Sequence, residues 1–210
     1  DGNGGTVTDT FTYTVGNPPP VAGDDTFSTA EDTAVIGTVV GNDADTAPDS
    51  DALGYTLGTG TTNGTLSFNP DGTFTYTPNA NFTGTDTFTY TVSDGQGGTD
   101  TATVTITVGA VNDAPVVVTP IADQSAVDGQ GVSIPTAGNF SDLDGDTLGF
   151  SVTGLPAGLT IDPVTGVISG TIDPAASQGG VGGVYTVVVT VSDGNGGTVT
   201  DTFTYTVGNP

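Results

Sequence analysis

Apolar and polar residues alternate along much of this chain, as they do in strands that bury one face. The clearest run is Thr73-Phe-Thr-Tyr-Thr77, and Asn69-Pro-Asp-Gly72 before it has the composition of a tight turn. Comparable runs predict further strands at 27–29, 34–40, 53–57, 65–68, 86–92, 99–108, 132–134, 148–152, 159–161, 167–172, 185–191 and 198–207. No stretch has the 3.6-residue period of a helix. The pattern therefore predicts an all-β chain of antiparallel β-sandwiches.

An internal repeat sets the domain organisation. Residues 1–18 read DGNGGTVTDTFTYTVGNP, and residues 193–210 read the same, which indicates a tandem array. A shorter match between residues 92–99 and 191–198 divides the rest into two related domains. We predict a terminal strand and linker of a preceding repeat at 1–18, one sandwich at 19–111 and a second at 112–210. Segment 1–18 lacks its partner strands, so we expect it to be disordered or to pair with a neighbouring molecule.

Charge narrows the possible partners. The chain has 24 acidic residues and no Lys, Arg or His, giving a net charge of −24. No side-chain ion pair can form, so the carboxylates repel one another and divalent cations are the natural compensation. This charge argues against binding to nucleic acid and to anionic membrane surfaces, because both attract basic residues. The sequence contains no run of about 18 apolar residues, the length that a membrane helix needs. It also shows no signal peptide, so we expect it to be an internal piece of a larger protein.

One acidic stretch has the composition of a calcium site. Asp142, Asp144 and Asp146 alternate with other residues, and Gly145 permits a tight bend. Such close carboxylates repel by about 1 kcal/mol per pair in water and by more in a partly buried loop. Calcium relieves this by taking six to eight oxygen ligands from flexible, Asp-rich loops. A solvated acidic turn is the alternative, but the recurrence of a related stretch at residues 42–53 favours calcium.

Strand order predicts which acidic loops meet. In a seven-stranded sandwich, the loop after the second strand and the turn between the last two strands lie at the same end. Residues 142–146 should therefore meet Asp193 near the linker, with the turn at 31–32 facing them from the first domain. A second group of acidic residues, which includes Asp49, should form at the start of the first domain. The predicted calcium ligands are Glu31, Asp32, Asn112, Asp113, Asp142, Asp144, Asp146 and Asp193, with Asp43, Asp45, Asp51 and Asp94 in the second group.

Several motifs resemble bacterial cadherin-like repeats. Glu31-Asp32, Asn42-Asp43-x-Asp45 and residues 63–78 and 84–95 resemble the VCBS or cadherin-like type, although Thr46-Ala-Pro48 is an insertion. In the second domain, residues 140–146, 155–159 and 165–170 resemble the dystroglycan-type cadherin repeat. Residues 112–115 (Asn-Asp-Ala-Pro) are similar to a cadherin linker. The resemblance implies tandem Ig/cadherin-like sandwiches, stiffened by calcium, in a large RTX-type adhesin of the bacterial cell surface that supports adhesion or biofilm.

The residue types that the chain lacks exclude several kinds of active site. Without His, Cys, Lys or Arg, nucleophilic triads and lysine chemistry are impossible, and we expect no enzyme. Phe74, Tyr76, Phe88 and Tyr90 alternate with polar residues, and we expect core packing rather than a sugar platform. The predicted function is a calcium-rigidified structural extender whose partners are neighbouring repeats. The alternatives are a carbohydrate-binding module and an extracellular filament subunit that self-associates by donating residues 1–18.

Overall fold

The chain folds as two compact units, Asp1–Val111 and Asn112–Pro210. The computed structural model describes residues 6–13, 16–45 and 51–210. Regular structure in these ranges consists of β-strands and three short 3-10 turns, as expected for an all-β chain. Among the same residues, no helix is long and apolar enough to cross a membrane.

The described residues of unit 1 form two sheets. One has the strand order β1-β7-β6-β3 and the other has the order β2-β5-β4. All pairings are antiparallel except that of β1 with β7, which is parallel. The strands of unit 1 are β1 (Asp25–Ala30), β2 (Val35–Thr38), β3 (Gly54–Leu57), β4 (Gly64–Phe68), β5 (Thr73–Pro78), β6 (Gly84–Ser93) and β7 (Thr99–Gly109).

In unit 1, the apolar residues that alternate with polar ones along the strands form the core. In β6, Phe88, Tyr90 and Val92 point inward, and the threonines between them point outward. Phe74 of β5 meets Phe88 edge-to-face with ring centroids 5.1 Å apart. Phe74, Tyr76, Phe88 and Tyr90 are each at most 1% exposed, so their predicted place in the core is confirmed.

Unit 2 also contains two main sheets. One has the order β12-β15-β16-β9, in which β9 and β16 are parallel, and the other has the order β10-β14-β13. A short β8–β11 pair completes the unit. Ile168, Val189, Phe203 and Tyr205 are among its buried core residues. The strands are β8 (Val116–Val117), β9 (Gln124–Val127), β10 (Gly131–Pro135), β11 (Phe140–Ser141), β12 (Gly149–Thr153), β13 (Leu159–Ile161), β14 (Val167–Thr171), β15 (Val184–Ser192) and β16 (Thr198–Gly208).

The structure corrects the sequence prediction at a few strands. The predicted strand 34–40 ends at Thr38, and Val40–Asn42 forms a 3-10 turn instead. The pattern also missed β8, β9 and β11. Two of these have only two residues, and β9 reads Gln-Ser-Ala-Val, which carries little apolar alternation. The parallel pairs were not anticipated either, because alternation looks the same in parallel and antiparallel strands.

The chain before β1 contains a second copy of part of the β16 sequence, but this copy does not form a strand. Residues 6–13 form no strand, and Val7, Phe11 and Tyr13 are 98%, 89% and 81% exposed. The identical residues 198–205 lie in β16, where Phe203 and Tyr205 are almost fully buried. The two copies differ in their surroundings rather than in their sequence.

A buried carboxylate ties a loop of unit 1 to its core. Asp86 is 3% exposed and accepts hydrogen bonds from the backbone N–H groups of Thr62 (3.1 Å) and Asn63 (2.8 Å) and from the Tyr76 hydroxyl (3.0 Å). Burial raises the pKa of Asp86, but these hydrogen bonds outweigh it, and the pKa lies below its ordinary value. Asp86 therefore stabilises the folded unit in its charged form.

We expect Asp86→Asn to destabilise unit 1 by about 1–3 kcal/mol at pH 7, because the amide turns donors toward groups that need an acceptor. The pKa of Asp86 is lower in the folded state than in the unfolded state. The wild type therefore has its full excess of unfolding free energy over Asp86→Asn above the unfolded pKa of about 3.9. This excess is lost as the pH falls through the pKa of Asp86 in the folded state. Denaturant unfolding at several pH values measures this difference.

Asp9→Asn is the matched control, because it removes the same charge from an exposed residue. We expect it to unfold like the wild type at every pH. Equal unfolding of the wild type and Asp86→Asn at pH 7 would contradict the stabilising role of Asp86.

Candidate metal centre

Three carboxylates of unit 2 converge in the loop between β11 and β12. Asp142, Asp144 and Asp146 each offer one oxygen, and these oxygens lie within 4.8 Å of one another. The backbone N–H groups of Asp144 (3.0 Å) and Asp146 (3.2 Å) both donate to Asp142 Oδ1, which curls the loop. Gly145 takes the left-handed conformation (φ +77°) that the bend requires. The loop thus holds like charges together with its own backbone.

A fourth carboxylate lies in the turn between β15 and β16. Asp193 is 5% exposed and its Oδ1 accepts from the backbone N–H groups of Asn195 (2.7 Å) and Gly197 (2.9 Å). The Asn112 side-chain amide donates to Asp193 Oδ2 at 2.9 Å. The hydrogen bond from Asn112 lowers the pKa of Asp193, burial opposes it, and the backbone donors complete a net lowering. Asp193 is therefore held as a carboxylate.

Two further hydrogen bonds connect this turn, the acidic loop and the start of unit 2. The backbone N–H of Asp113 donates to Asp144 Oδ2 at 2.7 Å, and the Asn195 side chain donates to Asp146 Oδ2 at 2.7 Å. Asn195 was missed by sequence reasoning because an Asn among glycines signals only a turn. The structure thus brings together, at one end of unit 2, the predicted residues Asn112, Asp113, Asp142, Asp144, Asp146 and Asp193.

The donor set of this cluster fits a hard cation. Asp142 Oδ2 is buried and has no hydrogen-bond partner among the described residues. The chain contains no Lys, Arg or His to pair with it. A buried acceptor without a partner is costly, and a carboxylate more so than a neutral group. Because the surrounding ligand atoms are oxygens, a calcium ion is the cation that the arrangement suits.

Unit 1 repeats much of this arrangement. Asp94 is 4% exposed, and its Oδ1 accepts from the backbone N–H groups of Gln96 (2.7 Å) and Gly98 (2.9 Å). Asn17 donates to Asp94 Oδ2 at 2.9 Å, as Asn112 does to Asp193 in unit 2. Burial raises the pKa of Asp94, but these hydrogen bonds together lower it below its ordinary value. Asn17 was not among the predicted residues, because nothing in its local sequence indicates a contact with Asp94.

The acidic loop of unit 1 differs from that of unit 2. The backbone N–H of Asp51 donates to Asp45 Oδ2, and the Gln96 side chain donates to Asp51. Asp45 Oδ1 is buried and has no hydrogen-bond partner among the described residues. Within those residues, Asp43, Asp45, Asp51 and Asp94 supply no trio of oxygens as close as that of unit 2. The prediction for Asp49 lies outside the described residues.

Asp43 makes a different set of contacts. Its carboxylate accepts from the Tyr90 hydroxyl (3.0 Å) and from the backbone N–H of Gly23 (2.9 Å). The Tyr90 hydroxyl also donates to Asp25 Oδ2 at 3.1 Å. Burial raises the pKa of Asp25, the Tyr90 hydrogen bond partly offsets this, and the charge of Asp43 adds to the increase. Asp43 therefore fastens the chain before β1 to the core.

Glu31 and Asp32 lie in the turn after β1, at the opposite end of unit 1 from Asp94. Glu31 is 5% exposed and accepts from the backbone N–H of Val111 at 2.7 Å. Asp32 has a positive φ of 55° and accepts from the backbone N–H of Asn81 at 3.1 Å. Their predicted role as ligands facing the second domain stays a prediction.

Comparisons with protein families match each unit separately. Residues 17–107 match the family described as Bacterial Ig domain, and residues 114–208 match the family described as Putative Ig domain. No curated protein matches the chain. The family matches agree with the two tandem sandwiches of the structure.

Solved structures show the same fold. A mouse cadherin-23 fragment with domains EC22–24 has a TM-score of 0.63 and 19% identity, over 92% of this chain and 65% of that one. A human mucin-like protocadherin fragment with domains EC1–2 has a TM-score of 0.58 and 19% identity, over 91% and 98%. This chain thus spans less than two thirds of the cadherin-23 fragment. At these identities the likeness shows the fold alone: tandem Ig/cadherin-like repeats.

We expect Asn112→Ala to raise the pKa of Asp193, because it removes the hydrogen bond that lowers that pKa most. NMR titration of the Asp193 carboxyl carbon measures the change. Asn195→Ala is the control, because its side chain donates to Asp146 and its backbone N–H to Asp193 is kept. An Asp193 pKa unchanged in Asn112→Ala, or raised equally in both variants, would contradict this assignment.

Proposed function

We propose that this chain is a calcium-rigidified structural extender module of a repetitive adhesin on the bacterial cell surface, where it supports adhesion or biofilm. The observation that carries the proposal is the trio Asp142, Asp144 and Asp146, each of which offers an oxygen within 4.8 Å of the others. Asp142 Oδ2 is also buried and has no hydrogen-bond partner among the described residues. The tandem Ig/cadherin-like fold and the match to a family described as bacterial support the setting.

The residues of unit 2 explain how a bound cation would act on the linker. Asp144 belongs to the trio and also accepts a hydrogen bond from Asp113, the second residue of the unit. The side-chain amide of Asn112 donates a hydrogen bond to Asp193. Calcium, when bound, supplies positive charge that removes the repulsion within the trio. The loop would then hold its compact form, and the first residues of unit 2 would be held with it.

The strands supply the length that an extender needs. Strand β7 runs over Thr99–Gly109, and strands rise by about 3.3 Å per residue, so β7 spans about 33 Å. Its first residue follows the Asp94 turn, and its last residues lie beside the β1 turn that carries Glu31. Unit 1 therefore has acidic residues at both ends of its longest strand.

Other functions find less support in the structure. A groove of about 280 Å³ between β9 and β10 is lined by uncharged residues, so it does not contain the paired carboxylates that an acid–base site would use. The aromatic residues considered as a sugar platform are buried in unit 1. We therefore propose a non-enzymatic role.

Calcium should raise the melting temperature of the chelated protein. Extracellular modules bind calcium with Kd of about 10⁻⁴–10⁻³ M. At tenfold to hundredfold excess over Kd, each site adds about 1–3 kcal/mol to the free energy of unfolding. Differential scanning calorimetry over a calcium titration measures the effect.

Asp144→Asn separates metal binding from general charge effects. Without calcium we expect this variant to melt at or above the wild type, because repulsion in the trio falls. With calcium it should gain less than the wild type, because a ligand is lost. Asp173→Asn is the control, since Asp173 is an exposed carboxylate outside the trio. An equal calcium response in both variants and the wild type would overturn the proposed site.

A further inference from the structure

Asparagine is followed directly by glycine at residues 3–4, 63–64 and 195–196. Asparagine in this position is chemically labile, because the backbone nitrogen of the next residue can attack its side-chain carbonyl carbon. Glycine favours the attack because it has no side chain in the way and adopts backbone conformations that other residues avoid. In a folded protein, the reaction also requires that the two residues have room to move. Residues 3–4 lie outside the described residues, so the structure compares the other two pairs.

The pair Asn195–Gly196 lies exposed in the turn between β15 and β16, and neither residue is part of a strand. Gly196 has a φ of +116°, and a Cβ added to it would meet no atom beyond its chain neighbours within 4 Å. The Asn195 side chain donates a solvent-exposed hydrogen bond to Asp146 Oδ2 at 2.7 Å. The turn therefore leaves the Gly196 nitrogen room to approach the Asn195 side chain.

The pair Asn63–Gly64 is held much more tightly. The backbone N–H of Asn63 donates to the buried carboxylate of Asp86 at 2.8 Å. Gly64 begins β4 and pairs with Pro78 of β5. A Cβ added to Gly64 would collide with the ring of Tyr76, so the backbone is closely packed there. The attack requires rotation of the backbone between the two residues, and this packing opposes it.

We propose that Asn195 is a deamidation site of the folded chain, and that its conversion adds a carboxylate beside the acidic loop of unit 2. The backbone nitrogen of Gly196 loses its proton and bonds to the side-chain carbonyl carbon of Asn195. The bond from that carbon to the amide nitrogen breaks, ammonia leaves, and a cyclic succinimide remains. Water then opens the ring at either carbonyl carbon, which gives aspartate or isoaspartate. The net reaction consumes water and releases ammonia.

Deamidation reverses the contact between this turn and Asp146. The Asn195 amide donates to Asp146, whereas an ionised carboxylate in its place has no hydrogen to donate. Two carboxylates at this distance repel each other. Asp146 belongs to the trio with Asp142 and Asp144, so the new charge makes the potential at the trio more negative. Without calcium the modified loop should be less stable, and with calcium it should bind the ion more tightly.

The expected effect on calcium rests on the proposed function, but the deamidation itself does not. Unit 1 supplies an internal comparison, because Gln96 follows Asp94 at the same spacing at which Asn195 follows Asp193. The Gln96 side chain donates to Asp51 in the acidic loop of unit 1. A glutamine side chain is one methylene longer, so the same attack would have to close a larger ring and is slower. We therefore expect the turn of unit 1 to keep its amide.

Mass spectrometry of chymotryptic peptides tests the proposal on the full chain. The folded protein is incubated with a chelator at mildly alkaline pH, because hydroxide promotes loss of the proton from the backbone nitrogen. Cleavage after Phe, Tyr and Leu places Asn195 in peptide 186–203, Asn63 in 58–66 and Asn3 in 1–11. We expect the mass increase from exchange of NH2 for OH to accumulate at least severalfold faster in peptide 186–203 than in 58–66. In denaturant the two peptides should react at similar rates.

Two variants complete the test. Asn195→Gln copies the residue of unit 1, and its peptide 186–203 should show no mass increase on the same timescale. Asn195→Asp reproduces one product, and we expect it to melt below the wild type in chelator and to bind calcium severalfold more tightly in isothermal titration calorimetry.

The possible failures are distinguishable. A folded chain in which peptide 186–203 reacts no faster than 58–66 would overturn the deamidation site, whatever calcium does. Equal calcium affinity of Asn195→Asp and the wild type would overturn the effect on calcium and leave the deamidation site standing. Absence of calcium binding in both proteins would contradict the proposed function instead.

Discussion

Hydrogen bonds from backbone N–H groups to carboxylates are the interaction on which this structure depends. The chain contains no Lys, Arg or His, so no side-chain cation can neutralise its carboxylates. Backbone donors replace them: Ala22 N–H bonds Asp100 in unit 1, and Ile121 N–H bonds Asp201 in unit 2. These bonds hold the segment before β1 against β7 in unit 1, and the segment before β9 against β16 in unit 2. The acidic residues are thus structural as well as charged.

The two units use this interaction in corresponding places. Thr103 N–H donates to Asp24 in unit 1, and Thr204 N–H donates to Asp123 in unit 2. The turns around Asp94 and Asp193 receive equivalent backbone and amide donors. Backbone donors do not reach every acidic oxygen, however, and Asp142 Oδ2 is buried without one among the described residues. The cation that we propose would compensate the carboxylate oxygens that backbone donors do not reach.

The sequence predicted the fold more completely than the candidate site. Period-two alternation identifies long strands such as β6, because one face must be buried whichever strand pairs with it. It does not identify β9, whose small and polar residues gain their strand form from pairing with β16. The aspartates of the acidic loop were predictable from their spacing. Asn195 was not, because its contact with Asp146 depends on how two distant turns approach each other.

Residues 6–13 show the limit of local sequence most directly. They are identical to residues 198–205, yet only the second copy forms a strand. Strand formation here follows from tertiary partners rather than from intrinsic propensity. A sequence pattern therefore establishes that a segment is able to form a strand, and the partners available determine whether it does.

Small-angle X-ray scattering of the full chain, titrated with calcium after chelation, tests the central claim that calcium rigidifies the tandem units. We expect the maximum dimension to increase at millimolar calcium and to return on addition of a chelator. An Asp142→Asn/Asp144→Asn variant should lose the increase, whereas magnesium at the same ionic strength should produce less of it. A maximum dimension that is the same with and without calcium would contradict the claim.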